Sequence, residues 1–140
     1  MGVDRKRSVA AVVAALTCLA AACSSGPPGP VSLPGAVVNK GTSDATSGGQ
    51  AATVTIQTGD DWFNPTFVKV APGAKLTVDL VDVGTVTHTF TIDGQHIDVV
   101  QDRKGQRNTV TVTMPASGSP VDFYCKYHVS AGMQGAFYTK

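Results

Sequence analysis

From Ala51 to the C-terminus the chain is written in short Val- and Thr-rich segments, and in several of them every second residue is apolar. Leu76, Val78 and Leu80 make one such series; Val110, Val112 and Met114 make another. A period of two puts these side chains on one face of an extended strand and leaves the other face to Thr, Asp and Lys. No 3.6-residue period competes, so a helical architecture is not expected. Gly, Pro and Asp stand between the segments as turn residues. Strands are expected near 53–58, 67–70, 75–82, 88–92, 109–114, 121–124 and 136–139. About seven or eight short strands, each with one apolar face, need two sheets that cover each other. An all-β Greek-key β-sandwich over residues 51–140 fits better than a barrel, which needs longer strands. Trp62, Phe63 and Phe67 are expected in the core or as plugs at its ends.

The chain before this region has a different texture. Arg5, Lys6 and Arg7 precede a short apolar run that ends in small residues, the pattern of an export signal over residues 1–22. The sequence LAAAC that closes it resembles the lipobox of bacterial lipoproteins, and by that resemblance Cys23 is the lipidation site. Ala20 stands where Leu is usual, and Leu19 lies one place earlier. Cleavage near Ala22 by the ordinary signal peptidase, leaving Cys23 as a free thiol, is the alternative. Either route exports the chain, with a lipid-anchored protein on the cell membrane, facing the periplasm or the exterior, as the expectation. Residues 24–50 are rich in Gly, Pro, Ser and Thr and poor in large apolar side chains. Such a stretch does not offset its ordering entropy, so Cys23 and the residues to 50 are expected to form a flexible linker, reaching about 30 Å.

Charge and cysteine usage narrow the function. Without the segment that carries Asp4 to Arg7, the chain has 8 basic residues against 9 acidic and no basic run. Nucleic acid is therefore not an expected partner. Cys18 lies within the signal and Cys23 is assigned to lipid, which leaves Cys125 as a single thiol in an oxidising compartment. A Cys23–Cys125 disulfide would tie a free terminus to the core and is the weaker explanation of that thiol. No nucleophile with an evident base is present, so an enzyme is not expected.

The C-terminal stretch FYCKYHVSAGMQG gathers Cys125, His128 and Met133 within nine positions. Cys-x-x-His in a tight loop turns a thiolate and an imidazole toward one point, and Ser130, Ala131 and Gly132 allow the bend that returns Met133. A trigonal copper site needs a second imidazole and a weak axial thioether. His88 and His96 are the candidates for that imidazole. His88 opens a strand after the turn 83–86, where its side chain can reach a neighbouring loop, whereas His96 follows the Asp93-Gly94 turn and is expected at the surface. Zinc gains little from a thioether, and a dinuclear copper centre needs a second cysteine in the loop.

With these residues in place, region 51–140 resembles the cupredoxins, the blue copper proteins, and within them the plastocyanin and amicyanin branch. The resemblance rests on Cys-x-x-His-x-x-x-x-Met followed by Gly135, with His88 upstream. It implies an eight-stranded sandwich with one copper ion at one end. It further implies that His88, Cys125 and His128 form the trigonal set and Met133 the long axial ligand. Many members carry Asn after the first His, where it staples the two ligand loops; here the residue is Thr89, whose hydroxyl could replace part of that hydrogen bond.

A one-electron carrier is the function the resemblance implies, with the His128 edge as the electron port and a redox protein docking there transiently. The chain is expected as a monomer held to a membrane by its lipid. A copper scavenger or delivery protein at the cell surface is the alternative, against which stands the absence of His-rich or Met-rich tracts. An adhesion-type module with an incidental metal ranks behind both.

Overall fold

The computed structural model describes residues 36–140. The expected signal 1–22, the lipidation site Cys23 and the linker as far as residue 35 lie outside the described residues. Among the described residues ten strands form two sheets. They are β1 (Thr42–Asp44), β2 (Thr53–Gly59), β3 (Trp62–Asn64), β4 (Phe67–Lys69), β5 (Lys75–Asp82), β6 (His88–Ile92), β7 (Ile97–Gln101), β8 (Arg107–Thr113), β9 (Val121–Tyr124) and β10 (Gln134–Tyr138). One sheet runs β1-β4-β10-β9-β6-β7 and the other β3-β2-β5-β8. The pairs β2–β5 and β4–β10 are parallel, so the chain crosses from sheet to sheet instead of meandering within one. This is the two-layer β-sandwich that the alternation implies.

Alternation is what seals the two layers together. In β5, Leu76, Val78 and Leu80 are buried while Lys75 and Thr77 are exposed, and Val54 and Ile56 of β2 repeat the pattern in the neighbouring strand. Phe63, Phe90, Phe123 and Phe137 meet between the sheets, with neighbouring ring centroids 5.0–5.8 Å apart. Such pairs add about 0.5–1.5 kcal/mol each beyond the area they bury. Strand β6 is buried along its whole length. Its polar face is satisfied internally, the Thr91 hydroxyl lying within hydrogen-bond distance of the Thr89 hydroxyl and the Asp98 carboxylate.

Three strands exceed the expectation. β1 and β3 have three residues each, too few to show a period. In β7 the adjacent Val99 and Val100 obscure the alternation.

The expected linker boundary also moves. Residues 36–50 belong to the sandwich, not to a tether: β1 pairs in parallel with β4, from Thr42 opposite Phe67 to Asp44 opposite Lys69. The Val38 amide donates to the Gly132 carbonyl, and the Thr66 and Phe67 amides both donate to the Gly41 carbonyl. Composition misleads here because this stretch is held by main-chain hydrogen bonds, which any sequence without interfering Pro can make. Of the three aromatics expected in the core or as end plugs, Trp62 lies outside the buried core. It is half-buried over Gly59, with the Lys40 ammonium 5.5 Å from its ring, whereas Phe63 and Phe67 are buried as expected.

Candidate metal centre

Topology brings the sequence-selected residues to one pole. β9 is antiparallel to both of its neighbours, β10 and β6. The end of β9 therefore lies beside the starts of β6 and β10. Cys125 follows β9, His88 opens β6 and Met133 immediately precedes β10. Ligand atoms of His88, Cys125 and His128 all lie within 4.8 Å of one another. The two imidazole centroids are 5.1 Å apart, and His128 Nδ1 is 3.5 Å from Cys125 Sγ.

The loop from 125 to 133 is shaped by its own main chain. The His128 amide donates to the Cys125 carbonyl, which closes the Cys-x-x-His turn. A single 3₁₀ turn over Val129–Ala131 follows and ends at Gly132 with φ +96°, a left-handed conformation that glycine takes at little cost. The Met133 amide then donates to the His128 carbonyl and the Cys125 amide to the Met133 carbonyl, so the ends of the loop are joined. Met133 is fully buried beside these groups, while His128 is half-buried.

Two hydrogen bonds connect this loop to β6. The Thr89 amide donates to Cys125 Sγ at 3.3 Å, and the Lys126 amide donates to the Thr89 hydroxyl at 2.8 Å. Thr89 thus supplies the bridge between ligand loops for which Asn is the commoner residue. Lys126 is tied in turn by its ammonium to the Asp98 carboxylate on β7. That ion pair raises the lysine pKa and lowers the carboxyl pKa.

Asp60, in the turn between β2 and β3, was not singled out by the sequence. Its Oδ1 lies 3.1 Å from His88 Nε2. The Thr85 amide and hydroxyl donate to its two carboxylate oxygens at 2.8 and 2.7 Å. Those Thr85 hydrogen bonds, with a smaller contribution from His88, hold the Asp60 carboxyl well below the ordinary carboxylate range. The only sequence signal was its type, an aspartate in a turn. The long-range contact with position 88 has no local pattern.

The residues present fit one copper ion. His88 is fully buried and its Nδ1 has no hydrogen-bond partner, although buried polar atoms ordinarily find one. An unpaired imidazole nitrogen beside a buried thiol and a second imidazole is a set of metal donors, and a soft thiolate with imidazoles is a donor set that copper favours. Cys125 is the only free cysteine among the described residues, so the loop holds no second thiolate. His96 stays outside this cluster, exposed and in a left-handed conformation next to the turn at Asp93–Gln95.

No protein-family model and no curated protein sequence matches the chain. Solved structures do. Reduced auracyanin from the photosynthetic bacterium Roseiflexus castenholzii superposes with a TM-score of 0.52 at 18% identity, over 63% of this chain and 96% of that one. Auracyanin A, a "blue" copper protein from Chloroflexus aurantiacus, gives 0.52 at 16% identity, over 64% and 99%. A chain of a heme-copper terminal oxidase dimer gives 0.58 at 16% identity, over 79% and 80%. These likenesses concern the path of the chain, and together with the two-sheet topology they identify the fold as that of the cupredoxins.

Proposed function

We propose that this chain is an exported, lipid-anchored mononuclear type 1 (blue) copper protein that carries one electron at a time. The observation that carries the reading is the convergence of buried His88 and Cys125 with His128 at one pole, with His88 Nδ1 left without a protein partner. Bound copper would supply a one-electron couple. His88, Cys125 and His128 would hold it, with the Met133 thioether as a weak fourth donor. The protein's part is to keep that geometry the same in both oxidation states. The Thr89 bridge and the main-chain hydrogen bonds that close the loop serve this end by fixing the ligands before metal arrives.

Burial excludes water from Cys125, while half-buried His128 gives an edge through which an electron can leave. Exposed Tyr127 adjoins that edge, its ring centroid 6.4 Å from that of His128, and offers a redox partner a small surface for transient contact. The anchor at Cys23 would hold this surface near a membrane.

Adding Cu(II) to the purified protein should give intense thiolate-to-copper absorption in the visible range. Cys125→Ser should abolish it while leaving the fold intact. Electron self-exchange should be fast. A protein that binds copper tightly, exchanges electrons slowly and passes the ion to an acceptor would be a delivery protein, and the carrier reading would be wrong.

A further inference from the structure

The geometry around Asp60 points to a positioning role that rests on the copper reading. We infer that Asp60, supplied by the β2–β3 turn, keeps the proton of His88 on Nε2 and places a fixed negative charge beside the metal. A carboxylate can only accept a hydrogen bond, so at 3.1 Å from Oδ1 the proton belongs on Nε2 and Nδ1 remains a bare donor. The unpaired, buried Nδ1 is the counterpart of that arrangement. Carboxylate partners to metal-bound imidazoles fix ring orientation and tautomer in this way and make the ligand a stronger donor.

The contact is built from two segments, the β2–β3 turn and the stretch 84–88. Thr85 binds both oxygens of Asp60, so the carboxylate cannot rotate away from His88 without losing two hydrogen bonds. Gly84 covers the pair: a Cβ there would come 2.6 Å from Asp60 Oδ1 and 2.6 Å from His88 Nε2. Only a residue without a side chain leaves the hydrogen bond room. The turn of one sheet is thereby clasped to the loop that delivers a metal ligand to the other.

A negative charge at this place favours the more positive metal state. Asp60 should therefore hold the reduction potential down, unlike a neutral carbonyl partner, which would set the tautomer alone. Because its side chain is 43% exposed, solvent screens the effect. We expect the small end of the roughly 10- to 100-fold range of outer-shell substitutions.

Two variants separate charge from geometry. Asp60→Asn keeps an acceptor oxygen and removes the charge; Asp60→Ala removes both. Nitrogen-15 NMR of the metal-free full chain should show His88 with its proton on Nε2 in the parent protein and in Asp60→Asn, and a mixture of tautomers in Asp60→Ala. In both variants the ratio of Cu(II) to Cu(I) affinity should fall about tenfold, a rise in potential of about 59 mV. Equal loss of affinity for both oxidation states, with the potential unchanged, would reduce Asp60 to a structural support and overturn the inference. An unchanged tautomer in Asp60→Ala would overturn it too. If Asp60→Ala does not fold, Gly84→Ala separates the pair with the carboxylate retained, and should produce the same mixture. The tautomer is read without metal, so failure of the parent protein to bind copper would sink the carrier reading while leaving the His88–Asp60 geometry to be decided by NMR.

Discussion

Thr89 joins two loops through one hydroxyl, which accepts from the Lys126 amide while the amide of the same residue donates to Cys125 Sγ. Valine has nearly the same shape and lacks the hydroxyl, so Thr89→Val should leave the Lys126 amide unpaired. The expected cost is about 1–3 kcal/mol, measured by chemical denaturation of the metal-free protein. The copper-loaded variant should show broader and less uniform ligand geometry by electron paramagnetic resonance. The residues at this pole differ in how far the sequence exposes them. Cys125, His128 and Met133 stand together in one short loop, where spacing alone makes them conspicuous. His88 is separable from His96 only by its place at a strand start. Asp60 and Gly84 could not have been found this way, because their parts depend on an approach between segments 24 to 28 positions apart in the chain.

Among the elements, β1 and the stretch before it show how a segment of linker-like composition can be structural. The Ala36 carbonyl and Val38 lie against Gly132, in the middle of the ligand loop. A Cβ at 132 would fall 1.9 Å from the Ala36 oxygen, and φ there is +96°. Gly132→Ala should therefore cost about 1–3 kcal/mol from backbone conformation alone, and should also displace the segment at 36–38. A thermal melt checks the first effect, and amide hydrogen exchange at Val38 checks the second. β1 has an acid-sensitive anchor of its own. The Thr46 hydroxyl and amide both donate to the Asp44 carboxylate and lower its pKa. A depressed folded-state value contributes stability above the unfolded pKa of about 3.9 and loses it as pH falls. The stability difference between the parent and Asp44→Asn should accordingly be present at neutral pH and shrink in acid, which denaturant titrations at two pH values would show. Most of the longer strands were legible because alternation needs about four residues to become visible, and short β4 was read within the four-residue stretch 67–70. β1 and β3 are shorter than that, and their existence rests on pairing partners that lie elsewhere in the chain.

At the scale of the whole molecule, two sheets hold a site that neither contains alone. Cys125, His88 and Met133 come from the ends of adjacent strands in one sheet, while Asp60 reaches His88 from a turn of the other. A fragment starting at Ala51, where composition changes, omits β1 and leaves the Gly132 carbonyl and one edge of β4 without their partners. Compared with a fragment of residues 36–140, it should melt several degrees lower, since about 1 kcal/mol corresponds to roughly 4–8 °C in a domain of this size. Its copper spectrum should be less sharply defined. The fold class was readable because period-two alternation and turn residues recur along the chain. The domain boundary was not, because main-chain pairing leaves no compositional trace.

The crossing of residues 36–38 over the ligand loop fixes the pole at which the described chain enters the sandwich. It is the pole that carries Cys125 and His128, not the opposite one. Under the lipid anchoring proposed above, that entry point would keep the redox face on the tethered side, and exchange would be fastest with partners seated on the same surface.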